Sequence, residues 1–454
     1  SLRDAWRAAM DRTRLRRAEQ EHGCVVTRNA SGLAARTKLR ARASSGIKCC
    51  PAKRGGLPSP AERPRRMRVL FVHQNFPGQY RHVAPSLARR KGTQVVGLGE
   101  NPGDALPGVQ HVRYKAPPTG HKDTHRYVRR FETAVYRGQH VARAGLALKE
   151  KGFNPDIICC HPGWGEGIYL KDVWPDAKTL YYFEFYYRSS GADVGFDPPG
   201  QAVHIDDACR VRTLNTTHLL SLDAADWGQT PTRWQASRFP DWARARMSVI
   251  HEGIDTDAIR RNDRAAFVLA DGRALTKDDE VVSFVGRGLE PYRGFHTFMR
   301  ALPEILARRP RAQVVMVGGE DPHYGAKPKE GGSWKEVLLA ELGDRLDRAR
   351  LHFTGKIPHA QLGNLMSVSS AHVYLTYPFV LSWSLLEAMS ASCAIIGSRT
   401  APVEEVITHG ETGVLVDFFS HHEVAAAVVR ALELPEEMQP MRDAARRLVR
   451  ENYD

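Results

Sequence analysis

The stretch from Tyr377 to Gly397, YPFVLSWSLLEAMSASCAIIG, decides how the chain is read. Between Lys356 and Arg399, Glu387 is the sole residue with a formal charge. Its carboxylate stands among apolar neighbours, a costly place unless something bonds it. The pattern predicts a strand ending at Leu375, a turn through Pro378 and a helix beginning near Ser384. Two readings of Glu387 are open. In one, Ser384 and Glu387 form a capping box, each satisfying an amide at the helix start. In the other, the turn presents free amides and a positive dipole end to an anion, and Glu387 grips paired hydroxyls such as those of a ribose. The stretch is not read as a membrane span. Pro378, Ser382, Ser384, Ser390, Ser392 and Glu387 break it before it reaches about 20 mainly apolar residues.

Outward from there, 454 residues predict two or three domains. Residues 1–66 stand apart, with 17 Lys and Arg against 5 Asp and Glu, a net +12 of the chain's +14. This basic, acid-poor leader is read as disordered sequence upstream of the folded unit, with a transit peptide or a nucleic-acid arm as the other meanings of such a composition. Seven cysteines show no zinc spacing. Cys159, Cys160, Cys209 and Cys393 lie in apolar contexts, which fits small core residues in a reducing cytoplasm. No nucleic-acid partner is expected, and membrane contact is at most peripheral.

From Met67, apolar runs of strand length alternate with helical periodicity. Strands are predicted at 69–73, 94–98, 157–160, 179–183, 219–222 and 248–251, with helices near 80–91 and 124–150. After a polar interval at 260–280 the series restarts, at 281–285, 312–317, 351–353, 372–375, 394–396 and 413–416. The helix after Gly294 carries Phe295, Phe298, Met299, Leu302, Ile305 and Leu306 on one stripe. Repeated strand-helix units imply parallel sheets covered on both faces. The expected organisation is α/β, with a first Rossmann-like lobe over 67–255, a linker or hairpin over 256–280 and a second lobe over 281–454. The chain stops inside a helical pattern, Met441 to Tyr453, so a truncated C-terminus is expected. Ligands of such sheets bind at the carboxyl ends of the strands, which places the site in the cleft between the lobes.

Three further stretches follow predicted strands. His73 to His82 turns through Pro77-Gly78, where glycine lets backbone approach a ligand closely. His161-Pro-Gly-Trp-Gly-Glu-Gly167 invites comparison with a dinucleotide fingerprint, with Glu184 about 20 residues on. Its glycines at 163, 165 and 167 do not fit G-x-G-x-x-G and lie deep in the first lobe. A nicotinamide or flavin site is therefore set aside, and His161 is left as a strand-end imidazole facing the cleft. In Val285 to Gly294, Arg287 and Arg293 flank a loop bounded by glycines, and forked guanidinium bonds from them suit a diphosphate. Asp255-Thr-Asp257 mimics a metal-binding pair of acids but is read as a turn.

Taken together these residues resemble the retaining glycosyltransferases of family 4, the group 1 glycosyltransferases, over about Met67 to Asp454. Ser248 to Asp255 is similar to the end of that family's first lobe. Gly286-Arg287 with Arg293-Gly294 resembles its diphosphate clamp, with arginine in the lysine place. Phe353 to Ile357 is similar to the segment whose backbone meets the nucleotide base, here Lys356 and Ile357. Leu385 to Met389 resembles the helix whose glutamate binds the ribose. His73 to His82, with Gly78, resembles the glycine loop near the phosphates, and His161 the histidine near the transferred sugar. One departure stands out. The family pairs two glutamates with seven residues between them, and the position eight before Glu387 is Phe379.

The resemblance implies the GT-B fold, with two Rossmann-like lobes facing a cleft, and transfer of a sugar from a nucleoside diphosphate to an acceptor hydroxyl with retained configuration. Arg287 and Arg293 would neutralise the leaving diphosphate. The amides of Leu381, Ser382, Trp383 and Ser384 would hold phosphate at the helix start whatever their side chains. Leu385 and Glu387 would complete the nucleotide site and His161 would orient the sugar. Neither a metal nor a cofactor is expected. The acceptor, a glycan, lipid or small molecule, is left open, and Glu184 either lines its side of the cleft or pairs with Arg188. Other readings are an epimerase or phosphorylase on the same lobes, or a non-catalytic binder of nucleotide sugars.

Overall fold

The computed structural model describes residues 66–197 and 203–454, nearly all of them in one unit, Arg68–Asp454. The basic leader read from residues 1–66 lies outside the described residues but for its last position.

The first sheet is built from β1 (Met67–Val72), β2 (Thr93–Gly99), β3 (Val109–Arg113), β4 (Ile157–Cys160), β5 (Lys178–Tyr182), β6 (Trp227–Thr230) and β7 (Met247–Val249). Every pair is parallel, in the order β3-β2-β1-β4-β5-β6-β7. A small antiparallel hairpin of β8 (Phe267–Val268) and β9 (Ala274–Leu275) falls in the polar interval. The second sheet comprises β10 (Val281–Gly288), β11 (Gln313–Gly319), β12 (Leu351–Gly355), β13 (Ala371–Tyr374), β14 (Ile395–Ser398) and β15 (Val414–Val416). It too is wholly parallel, in the order β12-β11-β10-β13-β14-β15. Each sheet reverses direction once, between β1 and β4 and between β10 and β13. At such a switch point the loops part and leave a crevice at the strand ends. The stretches after β1, β4, β10 and β13 are the four singled out in the sequence.

The helix Phe295–Arg308 shows why the pattern was readable. All six of its striped side chains are buried on the second sheet, each contributing about 1.5–3 kcal/mol by leaving water. Elsewhere the structure corrects the reading. Residues 219–222 lie in the helix Thr216–Ala224, with Leu222 and Ser221 buried and Leu219 and Leu220 exposed. A short apolar run fits a strand or one side of a helix equally well. The true strand is β6, Trp-Gly-Gln-Thr, which lacks aliphatic residues. It is held by its neighbours, and its Gln229 Nε2 donates to the Ile250 carbonyl (2.9 Å). The edge strand β3, half exposed, also went unread. Cys209, expected in an apolar setting, is exposed, whereas Cys159, Cys160 and Cys393 are buried.

The two sheets are tied by specific bonds. The Glu405 carboxylate accepts from the Arg233 and Trp234 amides (both 2.7 Å), satisfying a helix start in the first lobe from the second. Glu252 accepts from the Tyr182 hydroxyl (2.8 Å) and from the Trp383 indole. The helix Gln439–Asn452 buries Ala445 and Val449 with Leu385 and Leu386, and its last residues reach the interlobe segment, where the Ile254 amide donates to the Tyr453 carbonyl (2.9 Å).

In the loop after β4, Gly165 has φ +111°, and a Cβ there would stand 2.3 Å from the Ala134 carbonyl oxygen on the helix Arg129–Glu150. This glycine serves close packing of loop on helix. Gly165→Ala is expected to destabilise the protein by at least about 2 kcal/mol, from a strained backbone and a displaced helix. Denaturant unfolding checks it, and an unchanged midpoint would mean the loop does not pack on that helix.

Candidate functional site in the cleft

The second lobe contributes the cations. Arg287, at the end of β10, is exposed and makes no side-chain hydrogen bond among the described residues. Lys356, exposed just after β12, brings its Cε to 3.3 Å from where a Cβ on Gly319 would lie. Burial first, then Arg287 and Lys356, push the His323 imidazole below its ordinary range, so these cations share one neighbourhood. Ile357 is turned instead to a small apolar cluster with Leu365 and Val317.

Arg293 is placed differently from Arg287. It is 5 % exposed, and its Nη1 donates to Thr376 Oγ1 (2.8 Å) and to the Val380 carbonyl (3.0 Å), with the guanidinium 5.1 Å from the Tyr324 ring centroid. Its bonds are spent on the turn that carries Phe379. Across from it Glu290, fully buried, accepts from the amides of His323 (2.8 Å), Tyr324 (3.1 Å) and Gly325 (2.7 Å). Sequence reading missed this carboxylate, because its partners lie more than thirty residues away and are backbone. Arg293 and Glu290 together fix Tyr324, which packs edge-on against Phe379 (5.2 Å).

The capping box expected at Ser384 and Glu387 is not formed. Ser382 is the cap of the helix Trp383–Ser390, its backbone extended (φ −84°, ψ 144°) and its Oγ accepting from the Ser384 amide. With the cap two residues earlier, Glu387 lies too far along the helix to reach back. It is 6 % exposed and accepts instead from His359 Nε2 at 2.7 Å. That bond raises the His359 pKa above its ordinary value, with burial opposing it. The Ser382 amide donates to the Tyr374 hydroxyl (2.7 Å) and the Leu385 amide to the Ser382 carbonyl (3.2 Å). Of the four amides expected to hold phosphate, those of Leu381 and Trp383 have no protein acceptor among the described residues. The Trp383 indole is fixed by Glu252 and covered by the Arg81 guanidinium at 4.8 Å.

The first lobe contributes an acid and two imidazoles. His73 directly follows β1, and its ring lies directly under Gly78, whose φ is +45° and where a Cβ would stand 2.5 Å from the ring. A side chain has no room there because of the His73 ring, a packing reason and not the close approach to a ligand for which the sequence reading took the glycine. Burial, then His161, hold the His73 imidazole well below its usual range. His161, 2 % exposed, is stacked between Trp164 (4.5 Å) and Tyr182 (5.5 Å). Its Nε2 stands 3.7 Å from Glu184 Oε2. Burial pushes the Glu184 carboxyl up, but His161, Arg287 and Arg293 outweigh it and hold it below the usual carboxylate range. Glu184 does not pair with Arg188, whose Nε donates to the Arg238 carbonyl (2.7 Å).

Phe379, in the place of the family's first glutamate, is buried against Phe185 of the first lobe (4.7 Å, edge-on). Asp255 is a turn former: its Oδ1 accepts from the amides of Asp257 (3.2 Å) and Ala258 (2.8 Å). Among the described residues no group of three or more His, Cys, Asp or Glu is placed to hold a metal, and no helix is long and apolar enough to cross a membrane.

Residues 91–259 match the model of the glycosyl transferase family 4 group, and residues 270–448 that of the glycosyl transferases group 1. Among curated proteins, the D-inositol 3-phosphate glycosyltransferases of Mycobacterium bovis and Mycobacterium tuberculosis are 29% identical over 181 residues, 40% of this chain. That match spans about a third, 34%, of the length of those relatives. Among solved structures, sucrose-phosphate synthase from Thermosynechococcus elongatus superposes with a TM-score of 0.64 at 19% identity, covering 86% of this chain and 95% of that one. Anabaena HepE in complex with UDP-glucose gives 0.59 at 15%, covering 86% and 96%. These likenesses carry the fold, GT-B, with its two Rossmann-like lobes. Each family match falls on one of the two sheets, and the chain belongs to the family 4, group 1 glycosyltransferases.

Proposed function

We propose that the protein transfers a sugar from a nucleoside-diphosphate sugar to an acceptor hydroxyl with retention of configuration. One observation carries the reading. Arg287, exposed near the end of β10 and without a side-chain hydrogen bond among the described residues, lies at the switch point where such sheets bind ligands. It is near enough to His73 and Glu184 of the first lobe to add to the lowering of both, after burial and His161 for His73 and after His161 for Glu184. In this reading Arg287 and Lys356 receive the diphosphate, helped by the free amides of Leu381 and Trp383. Arg293 acts from behind the turn, and Glu387 takes the ribose. The charge that builds on the leaving diphosphate is met by fixed cations, so the reaction runs without a metal. HepE, solved with UDP-glucose, supports a nucleotide-sugar donor. The buried thiols of Cys159, Cys160 and Cys393 suit a reducing, cytoplasmic setting.

Phe379, buried where the family carries an acid, favours one other reading, a binder of nucleotide sugars without turnover. Incubation with donor and candidate acceptors separates the two, since only the enzyme forms a glycoside.

Two outcomes are expected. At 100 times its dissociation constant the right donor stabilises the protein by about 2.7 kcal/mol. Arg287→Ala combined with Glu387→Ala removes that gain, and EDTA leaves transfer unchanged. A full thermal shift in the double variant would put the nucleotide elsewhere.

The second concerns Glu387 and His359 in the free protein. The His359 pKa is raised by its bond to Glu387, so the stability this pair adds is complete below the ordinary histidine pKa, near 6.5. It is lost as pH rises through the raised value. Titration of the His359 ring by NMR should give a midpoint above 6.5 that falls in Glu387→Gln. Equal midpoints in the two proteins would disprove the pairing.

A further inference from the structure

Three side chains from the loops after β1, β4 and β5, those of Gln79, His161 and Glu184, come together. His161 is held between two aromatic rings and has no freedom to swing. Its Nδ1 accepts from the Gly163 amide (3.3 Å), which leaves the proton on Nε2. Among the described residues that buried Nε2–H has no hydrogen-bond partner, and Glu184 Oε2, at 3.7 Å, stands too far to be one. Gln79, beside Gly78, donates its Nε2 to Glu184 Oε1 (3.3 Å), while its own buried Oε1 finds no group in hydrogen-bond geometry among the described residues. Glu184 keeps 32 % of its side chain exposed. One donor and one acceptor, both buried, are thus left beside an ionised carboxylate that keeps part of its side chain exposed.

A hydroxyl both accepts and donates. Placed among these groups, it accepts from His161 Nε2–H and donates to Glu184 Oε2, and a neighbouring hydroxyl can donate to Gln79 Oε1. In the reading above Arg287 receives the diphosphate, and it also acts on this carboxylate from the other lobe, so the sugar attached to the diphosphate is the part of the donor nearest Glu184. On the facing turn, position 379 offers a ring packed on Phe185 and no acid.

We infer that Glu184 supplies from the first lobe the carboxylate that grips a hydroxyl of the transferred sugar, in place of the acid absent at Phe379. The inference rests on the nucleotide-sugar reading above. It makes Glu184 a residue that selects the sugar and leaves the nucleoside diphosphate to the second lobe. Sugars with adjacent hydroxyls, one for the His161–Glu184 pair and one for Gln79, fit best.

The test is calorimetric titration of the full chain with UDP, UDP-glucose, GDP and GDP-mannose, in the wild type, Glu184→Gln and Glu184→Ala. Both variants should bind the free diphosphate as the wild type does, which also reports that they are folded. Their affinity for the sugar nucleotide relative to its diphosphate should fall by about tenfold to hundredfold, the worth of a hydrogen bond to a charged group. An unchanged ratio with intact diphosphate binding overturns the role of Glu184 and leaves the proposed function standing. Equal weakening toward diphosphate and sugar nucleotide also overturns it, since Glu184 then serves the fold or the phosphates. A wild type that binds none of the four probes overturns both readings.

Discussion

A buried guanidinium sets the geometry of the second lobe. Arg293 lies in the protein interior, bonded to Thr376 and to the Val380 carbonyl and covered by Tyr324. A charge out of water is tolerated only where its donors are met, so the turn from Thr376 to Ser382 is drawn onto it. Glu290 works from the other side, gathering three consecutive amides and delivering Tyr324 to the same place. The helix that starts at Trp383, with Glu387 on it, begins where this pinned turn ends. Arg287, six residues before Arg293, is by contrast exposed and makes no side-chain hydrogen bond among the described residues.

The two sheets share one strand order around their switch points, and they divide the polar groups of the cleft. The second lobe brings Arg287 and Lys356, and the first brings Glu184, His73 and His161. Such a division suits a ligand with an anionic end and a hydroxyl-rich end, held across the opening. Buried Arg293 and Glu290 on one side and stacked His161 on the other fix the surfaces from which these groups project.

Phe379 changes how the lobes meet. In place of an acid it brings a ring that packs with Phe185, Tyr292 and Tyr324. The same first-lobe segment is bonded further along, where the Tyr292 hydroxyl donates to Asp193 (2.7 Å) and the Tyr377 hydroxyl to Asp197 (2.6 Å). Aromatic contact and tyrosine–carboxylate bonds together join the lobes on this side.

Local pattern was enough for much of this. The strict stripe after Gly294, the β-rich runs, and the glycines and prolines at the turns determined two series of strand-helix units, because burying one face imposes a period on the residues that face it. They also located the loops after β1, β4, β10 and β13, since those follow directly from where strands end. Only the tertiary structure decided which way a side chain in those loops points. It turned Arg293 inward and left Arg287 outside, paired Glu387 with His359 in place of Ser384, and set Glu290 on distant amides. It likewise made a strand of Trp227 to Thr230, which no run of aliphatic residues announces, and brought Glu184 beside His161. Each of these depends on a neighbour remote in sequence. Parallel sheets place side by side strands that lie tens of residues apart, and no local spacing records that proximity.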